Sequence, residues 1–188
     1  MTQFKSRRKG GVYVVLPPYA AGLIANLARQ LIELLSDGEV VEPAGVDPLE
    51  AMLDFDAPRD EPDDPALLRL LPPAHRTDDD LAAEFRRFTE RGLREGKIRD
   101  ALVVVTKLAD GEDGVPDDLE FELDSQQARA WLRCLTDLRL TLAARLGVRE
   151  GDEAYWESLP DGDERLPVYE IYGWLGYLLE SLLDAVRR

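Results

Sequence analysis

The sequence predicts an all-α protein: an irregular helical bundle of four long and two or three short helices, with a small β-hairpin at its N-terminus. Three observations carry that expectation. Apolar residues recur at helical spacing in four long stretches. Helix-start and helix-stop residues bracket several of those stretches. No period of 20–50 residues recurs along the 188-residue chain, which argues against a solenoid and for a bundle. The length suits one domain. The expected organisation is a single helical domain over 1–188, with the hairpin at 1–16 and an acidic loop region with a short helix at 37–64.

Taken in order, residues 4–8 and 12–16 flank Lys9-Gly10-Gly11, and Gly-Gly accepts the positive φ of a tight turn. Val12, Tyr13, Val14 and Val15 are strong strand formers. Pro17 and Pro18 stop the second strand and open a helix over Tyr19–Leu35. Leu23, Leu27, Leu31 and Leu34 form one line of that helix, and Ile24, Ala28, Ile32 and Leu35 the adjacent one. Asp47-Pro48 and Asp64-Pro65 each place a capping Asp before a first-turn Pro, the signature of two short helices. Thr77 with Asp80 resembles a capping box for a helix from 78 to about 109. Its stripes are Leu81, Phe85, Phe88 and then Ile98, Leu102, Val105, Leu108. Gly92 and Gly96 lie between, so a bend or break near 92–96 is expected.

Leu119, Phe121 and Leu123 alternate with Glu120 and Glu122, as in a short extended segment. Asp124 with Gln127 is a second capping box, and Gly147 is a natural stop. Between them Trp131, Leu135, Leu138, Leu142 and Leu146 form the clearest helical stripe in the chain. Pro167 opens the last helix, striped by Ile171, Leu175, Leu178 and Leu182 and widened by Val168, Tyr172, Leu179, Leu183 and Val186.

Charge is distributed unevenly. The chain has 23 Lys plus Arg and 38 Asp plus Glu, a net charge of −15. Such a surplus argues against a general, charge-driven hold on DNA or anionic lipid. Yet 29 of the 38 acids fall in four segments, 37–64, 78–80, 110–124 and 150–164, with Arg59 as their only base. The helices are therefore net positive. Over 81–109 this gives a candidate basic surface of Arg86, Arg87, Arg91, Arg94 and Lys97. The competing reading pairs these bases with acids three or four residues away or with the acidic loops.

A lone His and a lone Cys exclude a multi-His metal site, an internal disulfide and a CxxC motif. His75 stands before three Asp, an arrangement open to acid–base chemistry but equally to simple pairing. Cys134 lies beside Arg133, which makes it a candidate redox thiol, although a small buried thiol explains it as well. Asp110-Gly111-Glu112-Asp113-Gly114 and Asp161-Gly162-Asp163-Glu164 lack calcium-loop spacing. No Walker loop, G-x-S-x-G, H-E-x-x-H or G-x-G-x-x-G occurs. The expectation is no catalytic residue, no cofactor and no metal. The breadth of the last helix gives a candidate dimer face of Tyr172, Leu175, Leu179 and Leu183. The best apolar stretch, Val12–Leu35, is broken by Pro17, Pro18, Asn26, Arg29, Gln30 and Glu33, so no membrane association and a cytoplasmic location are expected.

An ordered set of short motifs resembles an actinobacterial family long catalogued as a domain of unknown function. These are Leu68-Arg69-Leu70-Leu71-Pro72, Asp79 with Glu84-Phe85-Arg86-Arg87-Phe88-Thr89-Glu90, Trp131-Leu132, Asp137-Leu138-Arg139-Leu140, Arg145-Leu146-Gly147-Val148 and Tyr172-Gly173-Trp174-Leu175. Some members are described as oxidative-stress transcriptional regulators. The resemblance implies a regulatory, non-catalytic role, but a sensor built on an internal disulfide needs two Cys and this chain has one. The resulting expectation is a cytoplasmic regulatory or adaptor protein that binds a protein partner, as a homodimer. The alternative is an oxidative-stress-linked transcriptional regulator using the basic helix at 81–109 for DNA or a partner. A third reading is a hydrolase or metal-dependent enzyme around His75.

Overall fold

The computed structural model describes residues 3–7, 11–36, 62–74, 79–109 and 118–187. The expected helix start at Asp47-Pro48, the Thr77 cap and His75 lie outside them. In chain order the described elements are β1 (Gln3–Ser6), β2 (Val12–Leu16), α1 (Pro18–Leu35), α2 (Pro65–Leu70), α3 (Asp79–Ala109), β3 (Leu119–Leu123), α4 (Ser125–Leu146), α5 (Glu153–Glu157) and α6 (Leu166–Arg187). The fold is mostly helical with a small sheet, as the sequence predicts. The sheet has a third strand, however: the alternating segment Leu119–Leu123 pairs with the hairpin, in the order β1-β2-β3 with both neighbours antiparallel.

Register explains which side of the sheet is buried. Phe4, Val14 and Phe121 stand in one cross-strand row, with Val12 opposite Leu123 and Leu16 opposite Leu119. Val12, Val14 and Leu16 have no exposed surface. The opposite face carries Tyr13, Glu120 and Glu122, where the Tyr13 hydroxyl donates to Glu120 and Arg7 pairs with Glu122 at 3.4 Å. The acids of β3 thus hold Tyr13 of β2 and Arg7 just past β1 at the surface, while the inner face is held by apolar burial.

Trp131 of α4 sits under that inner face. Its ring centroid is 6.4 Å from Phe4 and 5.6 Å from Phe121. Helix α4 is the centre of the molecule, packing on α1, α2, α3, α6 and β3. Both of its ends match their local signals. Asp124 accepts from the amides of Gln126 and Gln127, and the Gln127 side chain accepts from the Asp124 amide. Gly147 closes the helix at φ 71°, a conformation that costs glycine nothing. At α2, Asp64 caps the helix start as its sequence suggests, and also accepts from Arg145 of α4 at 2.6 Å.

The expected disruption of α3 near 92–96 does not break the helix. Gly92 and Gly96 sit inside one continuous helix of 31 residues. A glycine lowers helix stability by about 1 kcal/mol but leaves the backbone hydrogen bond intact, and packing along the second half offsets the loss. Of the expected stripe in that half, Leu108 is buried and Ile98 and Val105 pack against the core, and Leu102 alone turns away from it. Ala101, Val104 and Leu108 face the core, while Leu102 is 48% exposed. Small Ala101 lets α3 approach its neighbours closely, which a leucine there would prevent.

Candidate functional site

A wide concavity among the described residues lies over α4, between α3 and α6. It is an open cleft of about 550 Å³. Helix α4 supplies its floor with Leu132, Arg133, Thr136 and Asp137. Helix α3 supplies one wall with Gly92, Leu93, Gly96, Lys97, Arg99 and Asp100, and α6 the other with Leu179 and Leu183. Cleft volumes of this order suit a small ligand or an inserted row of side chains.

Two ion pairs of opposite polarity tie α3 to α4 across the floor. Lys97 Nζ lies 2.7 Å from Asp137 Oδ1. Arg133 grips Asp100 with two bonds, Nε at 2.6 Å and Nη2 at 2.7 Å. The Arg–carboxylate fork fixes the helix register as well as contributing energy. Burial pushes the Asp137 carboxyl above the usual carboxylate range, and Lys97 offsets only part of that. Hydrogen bonding to Asp100 raises the Arg133 guanidinium.

The bases expected to form a basic surface are largely engaged. Arg94 is buried, donating from Nε to Glu90 at 2.7 Å and from Nη1 to the Leu35 carbonyl at 2.8 Å, so it closes the C-terminal end of α1. Arg91 pairs with Glu95 at 3.0 Å, Lys97 with Asp137, and Arg86 reaches Glu90 at 3.9 Å. The Arg87 side chain lies outside the described residues. Cys134 is wholly buried behind the cleft floor, where burial pushes its thiol up to about 12. Of the candidate dimer face, Leu175 has no exposed surface and belongs to the core, Tyr172 and Leu179 are partly buried, and Leu183 is exposed. Among the described residues no group of three or more His, Cys, Asp or Glu is placed to hold a metal ion.

Sequence reasoning did not find the second structured cluster. Trp156 of α5 stacks on Tyr169 at 4.5 Å, Tyr169 on Tyr172 at 5.9 Å, and the Arg139 guanidinium lies 4.4 Å above the Tyr172 ring. Arg139 fits there because Gly176 faces it: a Cβ on Gly176 would come within 3.2 Å of Arg139 Nε. The aromatic residues were visible in sequence, but their stacking depends on how the 150–164 segment folds back on α6. Arg165 holds that segment in place through Asp163, with Nε at 2.9 Å and Nη2 at 2.8 Å, and through the Tyr155 hydroxyl at 2.9 Å.

Arg165 beside Asp163 holds its carboxyl down at about 2. Its folded pKa thus lies below its unfolded value of about 4. The group's contribution is full above that unfolded value and disappears as pH falls from about 4 to about 2. In Arg165→Ala the Asp163 carboxyl is expected to titrate back in the ordinary range, read by NMR of the side-chain carbon. A value still near 2 would assign the depression to the Arg165 backbone amide alone.

The family model described as a domain of unknown function, DUF2017, matches residues 1–186. The chain is a member of the DUF2017 family. Named relatives of this DUF2017 chain come from mycobacteria. The oxidative stress regulator AosR of Mycobacterium tuberculosis is 34% identical over 186 aligned residues, covering 89% of this chain and 78% of the relative. The putative oxidative stress regulator AosR of Mycobacterium leprae is 31% identical over 182 residues, covering 92% of this chain and 81% of the relative. These findings agree with the resemblance carried by the sequence motifs. No solved structure matches the chain.

Proposed function

We propose that this DUF2017 protein is a non-enzymatic, cytoplasmic regulator of the oxidative stress response that acts by binding another protein, and that it works as a homodimer. The names of its mycobacterial relatives support the regulatory part. One structural observation supports the binding part: large apolar side chains stay exposed on α3 and α6, Leu93 and Leu183 among them lining the cleft. Leu93, Leu102, Tyr177, Leu183 and Val186 are each 37–51% exposed. Apolar side chains lining an open cleft favour a contact with another surface. The DNA-binding alternative draws less support, because Arg91, Arg94 and Lys97 already hold carboxylates.

Deleting the gene in its source cell and challenging with peroxide tests the regulatory reading. The transcript response should change and return when the wild-type chain is restored. An unchanged response overturns the reading. Sequence-specific retardation of DNA by the purified chain at physiological salt would move the assignment to the alternative.

A further inference from the structure

The cleft over α4 carries a pattern that complements itself. Gly92 and Gly96 are one helical turn apart on α3, and a Cβ on either would meet nothing within 4 Å. The α3 backbone is therefore open to close approach by another helix. Across the cleft, Leu179 and Leu183 form a matching row one turn apart on α6, and Leu183 projects into solvent. A ridge of residues spaced by four fits a groove of the same spacing, the commonest way two helices pack.

Charge follows the same geometry. Arg99 lines the cleft on α3, is exposed, and has no carboxylate partner among the described residues. Glu180 and Asp184 stand next to Leu179 and Leu183 on α6, are exposed, and have no cationic partner among the described residues. The other cleft bases, Lys97 and Arg133, are already bound to Asp137 and Asp100. Among the described residues that leaves one open cation on the α3 wall and two open anions on α6 beside the other wall.

We propose that this cleft is the contact surface between two copies of the chain, related by a two-fold axis. Leu179 and Leu183 of each copy lie along the Gly92–Gly96 face of the other, and Arg99 of each faces Glu180 and Asp184 of the other. The assignment rests on the homodimer reading above and gives that dimer its surface. Two-fold symmetry makes every such contact occur twice, so a small patch contributes double. The pairing also explains why α3 keeps two glycines in the middle of a helix that would be more stable with alanine.

Sedimentation velocity of the full chain at physiological salt tests this. Wild type is expected to dimerise below about 100 μM. Gly96→Leu sends a side chain out from a position where an added Cβ meets open space, so it should abolish the dimer while leaving the circular dichroism spectrum and melting temperature near wild-type level. Arg99→Glu and Asp184→Arg should each weaken the dimer about tenfold, and the two together should restore it to near wild type. Wild type that stays monomeric at that concentration overturns both this surface and the homodimer reading. A dimer indifferent to Gly96→Leu and to both charge reversals overturns the surface alone, whatever other partner then occupies the cleft.

Discussion

Replacing Trp131 with alanine is expected to cost about 3–5 kcal/mol, a large share of the ~5–15 kcal/mol that holds a domain of this size together. The side chain has no exposed surface and lies between the helical core and the inner face of the sheet, against Phe4 of β1 and Phe121 of β3. Removing it leaves a cavity where the N-terminal strand meets β3 and α4, more than a hundred residues later. The indole Nε1 is buried with no hydrogen-bond partner among the described residues, so the loss is one of packing. Trp131→Phe, which keeps a ring in place and forfeits no hydrogen bond, should therefore cost clearly less, about 1–2 kcal/mol. Urea unfolding followed by circular dichroism reads both values. A Trp131→Ala loss under about 1 kcal/mol would show that the sheet is anchored by its other contacts.

The contrast between α4 and its neighbours shows what the sequence could convey. Helix α4 is legible at both ends because Asp124, Gln127 and Gly147 act on backbone groups two to four residues away. The alternation of Leu119, Phe121 and Leu123 likewise marks an extended segment, but nothing local says that its partner is β2, more than a hundred residues earlier. The same limit governs charge. Composition separates acidic segments from basic helices, yet the Lys97–Asp137 and Asp100–Arg133 pairs span 40 and 33 residues and arise only when α3 lies against α4.

Errors of register have a similar origin. In α3 the expected stripe of Ile98, Leu102, Val105 and Leu108 puts Leu108 in the core and Ile98 and Val105 against it, but Leu102 is exposed and the neighbouring Ala101 and Val104 are buried. Periodicity finds a face to within one residue, and the size of the neighbouring helix decides the rest. The breadth of apolar residues on α6 was visible, but it contains two different surfaces. Leu175, Leu178 and Leu182 have no exposed surface and close the core, whereas Leu183 and Val186 remain in water.

Cys134 is expected to resist thiol reagents in the folded protein by about three orders of magnitude relative to an ordinary cysteine. Only the thiolate reacts, and burial, reinforced by the nearby Asp137 and Asp100 carboxylates, pushes this thiol from 9.0 up to about 12. Arg133 is its sequence neighbour but points its guanidinium at Asp100, so the cation that the sequence offered for activation is committed elsewhere. Lack of solvent contact adds steric protection. At neutral pH, labelling with a maleimide should therefore be limited by opening of the fold: slow in buffer, rising steeply through the urea transition, and tracking the unfolding curve. Trp131→Ala, which loosens the same core three residues away, should accelerate it in proportion to the stability lost. Rapid, stoichiometric labelling of the folded wild type would instead mean that Cys134 reaches solvent without unfolding, and would make an oxidant-driven mixed disulfide at this position chemically accessible.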